Sequence, residues 1–241
     1  MREFILSEQW YWVLLIAAVS YLCGGVSAAR IISKHKNKDI TKMGSGNPGS
    51  MNMTRNFGIK VGVMTLFFDA LKAAIPVLIT HFIYKDYVFS GTEISASDYV
   101  RYVSAFFVVV GHIFPLFNGF KGGKGIAPTF GGFWAGMSCE HFIFFFIVIV
   151  GLAVVITYIV MTEWGAMGSL FGISLCTIVQ CSIFVWKYGT AFSPWLCGLY
   201  ANMLAVFLID WLAHRKNLRR LFAGEEHRTP LKAMAKKKKS N

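Results

Sequence analysis

Across residues 126–161, IAPTFGGFWAGMSCEHFIFFFIVIVGLAVVITYIVM, the only formal charge is Glu140. A helix crossing a bilayer needs roughly 20 mostly apolar residues. This block is therefore too long for one span and long enough for two, at about 125–139 and 141–161. The first is short and rich in glycine, which predicts a tilted or partly re-entrant segment. Outward from the block, further apolar runs lie at about 10–29, 61–83, 100–118, 165–185 and 193–212, giving seven crossings in all. With 241 residues, 55% of them hydrophobic and 15% charged, the chain is far more apolar than a soluble domain. The expectation is an all-α, multi-pass membrane protein, with residues 1–228 as the embedded domain and 229–241 as a basic, disordered tail.

Charge placement orients the spans. The net charge is +12, and of the 24 lysines and arginines all but Arg2, Lys72, Lys85, Arg101 and Lys187 fall in 30–60, 119–124 and 213–241. These segments share one face when the crossings alternate. Lys- and Arg-rich loops stay in the cytosol, so the N-terminus is expected outside and the C-terminus inside. The positive charge is thus accounted for by the membrane, and no nucleic acid is expected as a partner. Lys236 to Lys239 should rest on anionic headgroups. Trp10 with Trp12, Tyr99 with Tyr102, and Trp186 with Tyr188 fit an aromatic belt at the outer interface. The segment before the first run holds Arg2, Glu3 and Glu8 and lacks the positive leader of a cleaved signal, so that run is read as a retained span. The five cysteines lie singly in apolar runs and are read as reduced packing residues; neither metal nor cofactor is called for.

Three polar segments on the cytosolic side carry candidate chemistry. In GSGNPGSMNMTR, 44–55, the residues Gly44, Gly46 and Gly49 free the backbone to curl around an anion. Asn47 and Asn52 add amides, Ser45 a hydroxyl, and Arg55 a two-pronged cation suited to phosphate oxygens. Lys60 closes the same basic loop. No strand precedes these glycines, so a dinucleotide fold is excluded. In GHIFPLFNGFKGGKGIAP, 111–128, Lys121 and Lys124 bracket Gly122 and Gly123, and Gly125 opens the next helix, a natural phosphate seat. His112 stands at its start. The third segment, HRKNLRRLFAGEE, 214–226, aligns His214 and Asn217 on one helical face with Arg220 beside them. Within the second span, Asp69 and Lys72 stand one turn apart, and are expected either to pair or to bind substrate in a polar cleft reaching down from the loops.

Together these segments resemble the bacterial acyl-phosphate:glycerol-3-phosphate acyltransferases of the PlsY type, in the right order from about residue 4 to 228. The resemblance implies a multi-pass enzyme of the cell's inner (cytoplasmic) membrane, acting at its cytosolic face. It implies transfer of an acyl group from acyl phosphate to the sn-1 hydroxyl of glycerol 3-phosphate, giving lysophosphatidic acid and phosphate. Partners then are those two substrates, membrane lipid and the enzyme that makes acyl phosphate. Ser45, Arg55, His112, Lys124, His214 and Asn217 match polar family positions, the loop glycines match phosphate-holding ones, and Glu226 rather than Glu225 matches the family's acid. Met51 stands where relatives usually carry threonine, and TEWGAMGS, 162–169, departs from the family pattern. No strained nucleophile turn is present, so direct attack without an acyl-enzyme is expected. The competing class is a transporter of a phosphorylated solute, but there is neither an inverted repeat nor a midplane cluster of anion-binding groups.

Overall fold

The computed structural model describes residues 2–190, 193–226 and 228–231; the Lys236 to Lys239 tail lies outside them. Helix α1, Leu6–Gly25, breaks at the extended Val26 and restarts as α2, Ala28–His35, whose first turn is capped by the Ser27 hydroxyl. After a 3-10 turn at Ile40–Lys42 come α3, Ser50–Phe57, and α4, Ile59–Tyr84. Gly58 separates the last two at φ 89°, a conformation that favours glycine. The remaining helices are α5, Ala96–Ile113; α6, Ile126–Ser138; α7, Ile143–Thr162; α8, Gly165–Tyr188; α9, Pro194–Ala213; and α10, Arg215–Phe222. Two short strands, β1 (Arg2–Phe4) and β2 (Tyr87–Phe89), pair in parallel at one end.

Six of these helical stretches are long and apolar enough to cross a membrane: Leu6–His35, Ile59–Tyr84, Ala96–Asn118, Ile143–Thr162, Gly165–Tyr188 and Pro194–Ala213. Many of their Leu, Ile, Val and Phe side chains stay outside, as on a surface solvated by lipid. The stretch expected at 125–139 differs. It is α6, only 13 residues and therefore about 20 Å long, against a hydrocarbon thickness of about 30 Å.

The centre of the bundle is α5, whose apolar window is 67% buried, against 17–39% for the other candidate spans. Glycines let its neighbours approach. A Cβ at Gly24 would strike the Val108 carbonyl, one at Gly111 the Tyr21 carbonyl, and one at Gly131 of α6 the Ala70 carbonyl of α4. Without a hydrophobic force between lipid-solvated helices, such close backbone packing is what holds them.

At one end a buried ion cluster ties three helix termini. Arg101 of α5 pairs with Asp98 and with Glu140, just beyond α6, and Lys187 of α8 reaches Asp98 at 2.7 Å and Glu140 at 2.9 Å. Tyr102 is not part of an interfacial belt: it is 1% exposed and donates to Gln180 in the core. Trp10, Trp12 and Trp186 do face outward.

Candidate active site

At the opposite end one pocket gathers the three polar segments. Ser45, Asn47, Gly49, Asn52 and Arg55 line it from the first segment, Asp69 from α4, and His112, Lys124 and Gly125 from the second. His214, Asn217, Arg220 and Glu226 line it from the third. Gly44, Gly46, Lys60, Lys72, Lys121, Gly122 and Gly123 are not among the lining residues. Lys60 and Lys121 are exposed, and Lys121 contributes only its carbonyl, to Arg30 at 2.6 Å.

The glycines work differently from the expected phosphate cradle. Gly122 and Gly123 donate their N–H groups to the carbonyls of Ile113 and His112, at 3.1 and 3.0 Å, pinning the loop back on the end of α5. A side chain at either would collide with His112. Gly46 likewise donates to Met43, and Gly49 to Asn47. Asn52 is a buried pin: its amide donates to the carbonyls of Ile40 and Met43 and its oxygen accepts from Ser45 N. Those amides are spent on the fold.

Helix starts border the pocket instead. First-turn residues of α3 (Ser50, Met51), α6 (Ile126, Ala127) and α8 (Gly165, Ala166) all line the pocket. Three helix N-termini, where positive dipole ends lie, thus border one space, an arrangement suited to an anion. Leu66, Ser169 and Thr229 also line it. Of these the sequence places only the start of α6 as a phosphate seat; Met51 and 162–169 stand out there only as departures from the family pattern, and the Pro-Gly pair before Ser50 was the one available sign that α3 starts there.

Side chains add the charge. Lys124 Nζ donates to Asn217 Oδ1 at 2.6 Å, Asn217 Nδ2 to Glu226 Oε1 at 2.6 Å, and Arg220 Nε to Glu226 Oε2 at 3.0 Å. With Arg55, three cations face this one carboxylate, leaving positive charge for a phosphate. Burial pushes the Lys124 ammonium down to about 8, an effect Glu226 opposes and Arg220 and Arg55 reinforce. Burial also lowers Arg55 from its ordinary value.

The two histidines take opposite hydrogen-bonding roles. His214 Nδ1 lies 2.8 Å from the Asp210 carbonyl, which only accepts, so Nδ1 carries the hydrogen and Nε2 presents a lone pair. Burial holds this imidazole down to about 4, so it is neutral at physiological pH. His112 Nδ1 lies 2.8 Å from Lys72 Nζ, which also pairs with Asp69 at 2.9 Å and donates to the Val26 carbonyl. An ammonium only donates, so His112 Nδ1 accepts and Nε2 is N–H. The pairing expected of Asp69 and Lys72 is present, and it serves to orient His112.

One boundary moves. Residue 229, expected to begin a disordered tail, is 2% exposed, and Thr229 N donates to the Glu163 carbonyl at 2.7 Å. Sequence could not show this, because a lone threonine beside basic residues reads as solvated.

Residues 14–224 match the family model described as glycerol-3-phosphate acyltransferase. A glycerol-3-phosphate acyltransferase of Pseudothermotoga lettingae is 32% identical over 225 residues, covering 93% of this chain and 98% of the relative. One from Aquifex aeolicus is 30% identical over 215 residues, covering 89% and 98%. Among solved structures, the glycerol 3-phosphate form of PlsY (YgiH), an integral membrane glycerol 3-phosphate acyltransferase, superposes with a TM-score of 0.69 at 26% identity, covering 90% of this chain and 94% of that one. Its lysophosphatidic acid form gives the same values.

Proposed function

The chain belongs to the glycerol-3-phosphate acyltransferase family, and on that premise we propose that it moves a fatty acyl group from acyl phosphate to the sn-1 hydroxyl of glycerol 3-phosphate. The products are lysophosphatidic acid and inorganic phosphate, formed at the cytosolic face of the inner membrane. The observation that carries this reading is the convergence of Arg55, Lys124 and Arg220 with three helix N-termini on one pocket. Two anionic substrates repel each other, and a dry pocket with a surplus of fixed positive charge removes that repulsion while aligning them.

Acyl phosphate is a mixed anhydride and already activated. The C1 oxygen of glycerol 3-phosphate attacks the carbonyl carbon, a new C–O ester bond forms, and the bond to phosphate breaks. His214 Nε2 presents a lone pair that can take the hydroxyl proton, and the departing phosphate is the alternative acceptor. No side chain need be acylated. Leu66, Ile126 and Ala127 give the pocket an apolar flank, which suits a donor whose chain stays in lipid. A transporter has weaker support, because these cations gather at one end of the bundle and alternating access needs a site reachable from both.

The donor is tested by supplying purified protein, in detergent or lipid with chelator present, with glycerol 3-phosphate and either a long-chain acyl phosphate or the matching acyl-CoA. Lysophosphatidic acid is expected from acyl phosphate and little or none from acyl-CoA. Faster turnover with acyl-CoA would reverse the donor assignment, and transport of glycerol 3-phosphate without acylation would replace the enzyme by a carrier.

A further inference from the structure

Beyond the family match, which ends at residue 224, the chain folds back over the pocket. Thr229 is held by its backbone N–H on the Glu163 carbonyl, and Arg228 lies against the same turn, with Nη1 3.4 Å from the Thr162 carbonyl and its guanidinium 5.8 Å from the Trp164 ring centre. The accepting turn is itself unusual: Glu163 sits at φ 62°, a left-handed conformation uncommon outside glycine, which ends α7 and directs its carbonyl at the strap. Gly165 makes room, since a Cβ there would come within 2.9 Å of the Thr229 hydroxyl.

That hydroxyl accepts a hydrogen bond from Arg55 Nη2 at 3.0 Å. Among the described residues no carboxylate lies within ion-pair distance of Arg55. The choice of partner matters. A carboxylate here would neutralise the guanidinium, whereas a hydroxyl fixes its direction and leaves its charge whole. Arg55 is long and rotamer-rich, so fixing it in advance removes an ordering cost from substrate binding. The Thr229 O–H, not donated to any described protein group, remains free to meet a phosphate oxygen as well.

We propose that Thr229 is a positioning residue that aims the Arg55 guanidinium at a substrate phosphate, carried on a strap, 228–231, that lies just past the stretch matched by the family model. The proposal rests on the acyl-transfer reading above, and the experiment separates the two. Full-length wild type, Thr229→Val, Thr229→Ser, Arg55→Lys and the Arg55→Lys/Thr229→Val double variant are assayed for lysophosphatidic acid from glycerol 3-phosphate and acyl phosphate, with thermal unfolding as the check on folding. Loss of one hydrogen bond to a charged group predicts that Thr229→Val lowers kcat/KM about tenfold. Thr229→Ser keeps the hydroxyl and should restore most of it.

Glycerol 3-phosphate binding, read as ligand-induced stabilisation, should weaken in Thr229→Val and need no activity to be measured. In the Arg55→Lys background the valine should cost little more, since its effect acts through the arginine. An inactive wild type would refute the acyl-transfer reading alone. With an active wild type, full activity in Thr229→Val, equal impairment in Thr229→Ser, or the same loss from valine in both backgrounds would overturn the positioning role.

Discussion

Lys124 shows how a single residue is tuned by its surroundings. Its ammonium is buried beside Arg55 and Arg220 and is supported by Glu226 through Asn217, and these effects leave its pKa at about 8. The charged form is therefore the majority below that value and is lost as pH rises through it. His214, at about 4, is neutral across the same range and becomes protonated only on the acid side. For the free enzyme, kcat/KM should hold through neutral pH and fall on the alkaline side with a midpoint near 8. Lys124→Arg keeps a cation that stays charged throughout this range. It is expected to be slower at neutral pH, because the guanidinium does not fit an ammonium's place, but to lose the alkaline limb. Lys124→Ala should lose a charge-assisted contact worth about 1.5–3 kcal/mol while remaining folded. The pH–rate profiles of the three proteins decide it: an unchanged alkaline midpoint in Lys124→Arg would assign the limb to another group.

At the scale of elements, α6 is too short for the membrane and is held in place by its glycines. Gly131 lies against the Ala70 carbonyl, next to Asp69, so the contact couples the helix that follows Lys124 to the one that orients His112. Gly131→Ala must push α4 and α6 apart, and overpacking of this kind costs about 1–3 kcal/mol. Gly151→Ala, in α7 with open space around its Cβ, is the matched control. An exposed helical Gly→Ala change on its own gains about 0.5–1 kcal/mol. The two substitutions should therefore move the unfolding temperature in opposite directions, and a stabilised Gly131→Ala would refute the close contact. This pair also marks what sequence reveals. The long helices were legible because an apolar run has one dominant explanation, and α6 was legible as short. α2 and α3 were hidden in the polar 30–60 stretch, since eight residues give little more than two turns of periodicity. The candidate cations Arg55 and Lys124 were legible from charge in glycine-rich segments, and Arg220 from its place beside the helical face of His214 and Asn217. The roles of the glycine amides were not, because which carbonyl an N–H meets is decided by tertiary packing, as with Gly122 on Ile113.

For the whole molecule, the two ends differ in chemistry, and this predicts how the chain sits in the membrane. One end holds the β1–β2 pair and the Asp98, Arg101, Glu140 and Lys187 cluster, in which charges are mutually paired. The other holds the pocket, with Arg30, Lys34, Lys36, Lys38 and Lys42 beside it and Arg215, Lys216 and Arg219 on α10. Unpaired Lys and Arg in short loops are retained in the cytosol, whereas neutralised clusters carry no such bias. The pocket end should therefore be cytosolic, which is also where a charged, membrane-impermeant glycerol 3-phosphate is at hand. In a variant lacking the native cysteines, Lys36→Cys and Glu93→Cys place single thiols at exposed positions on the two ends. A membrane-impermeant maleimide added to intact cells should label Glu93→Cys and leave Lys36→Cys untouched until the membrane is opened. Labelling of Lys36→Cys from outside would invert the topology and deprive the proposed reaction of its substrate side. Labelling of both would show mixed insertion, meaning that charge on the pocket end does not set orientation.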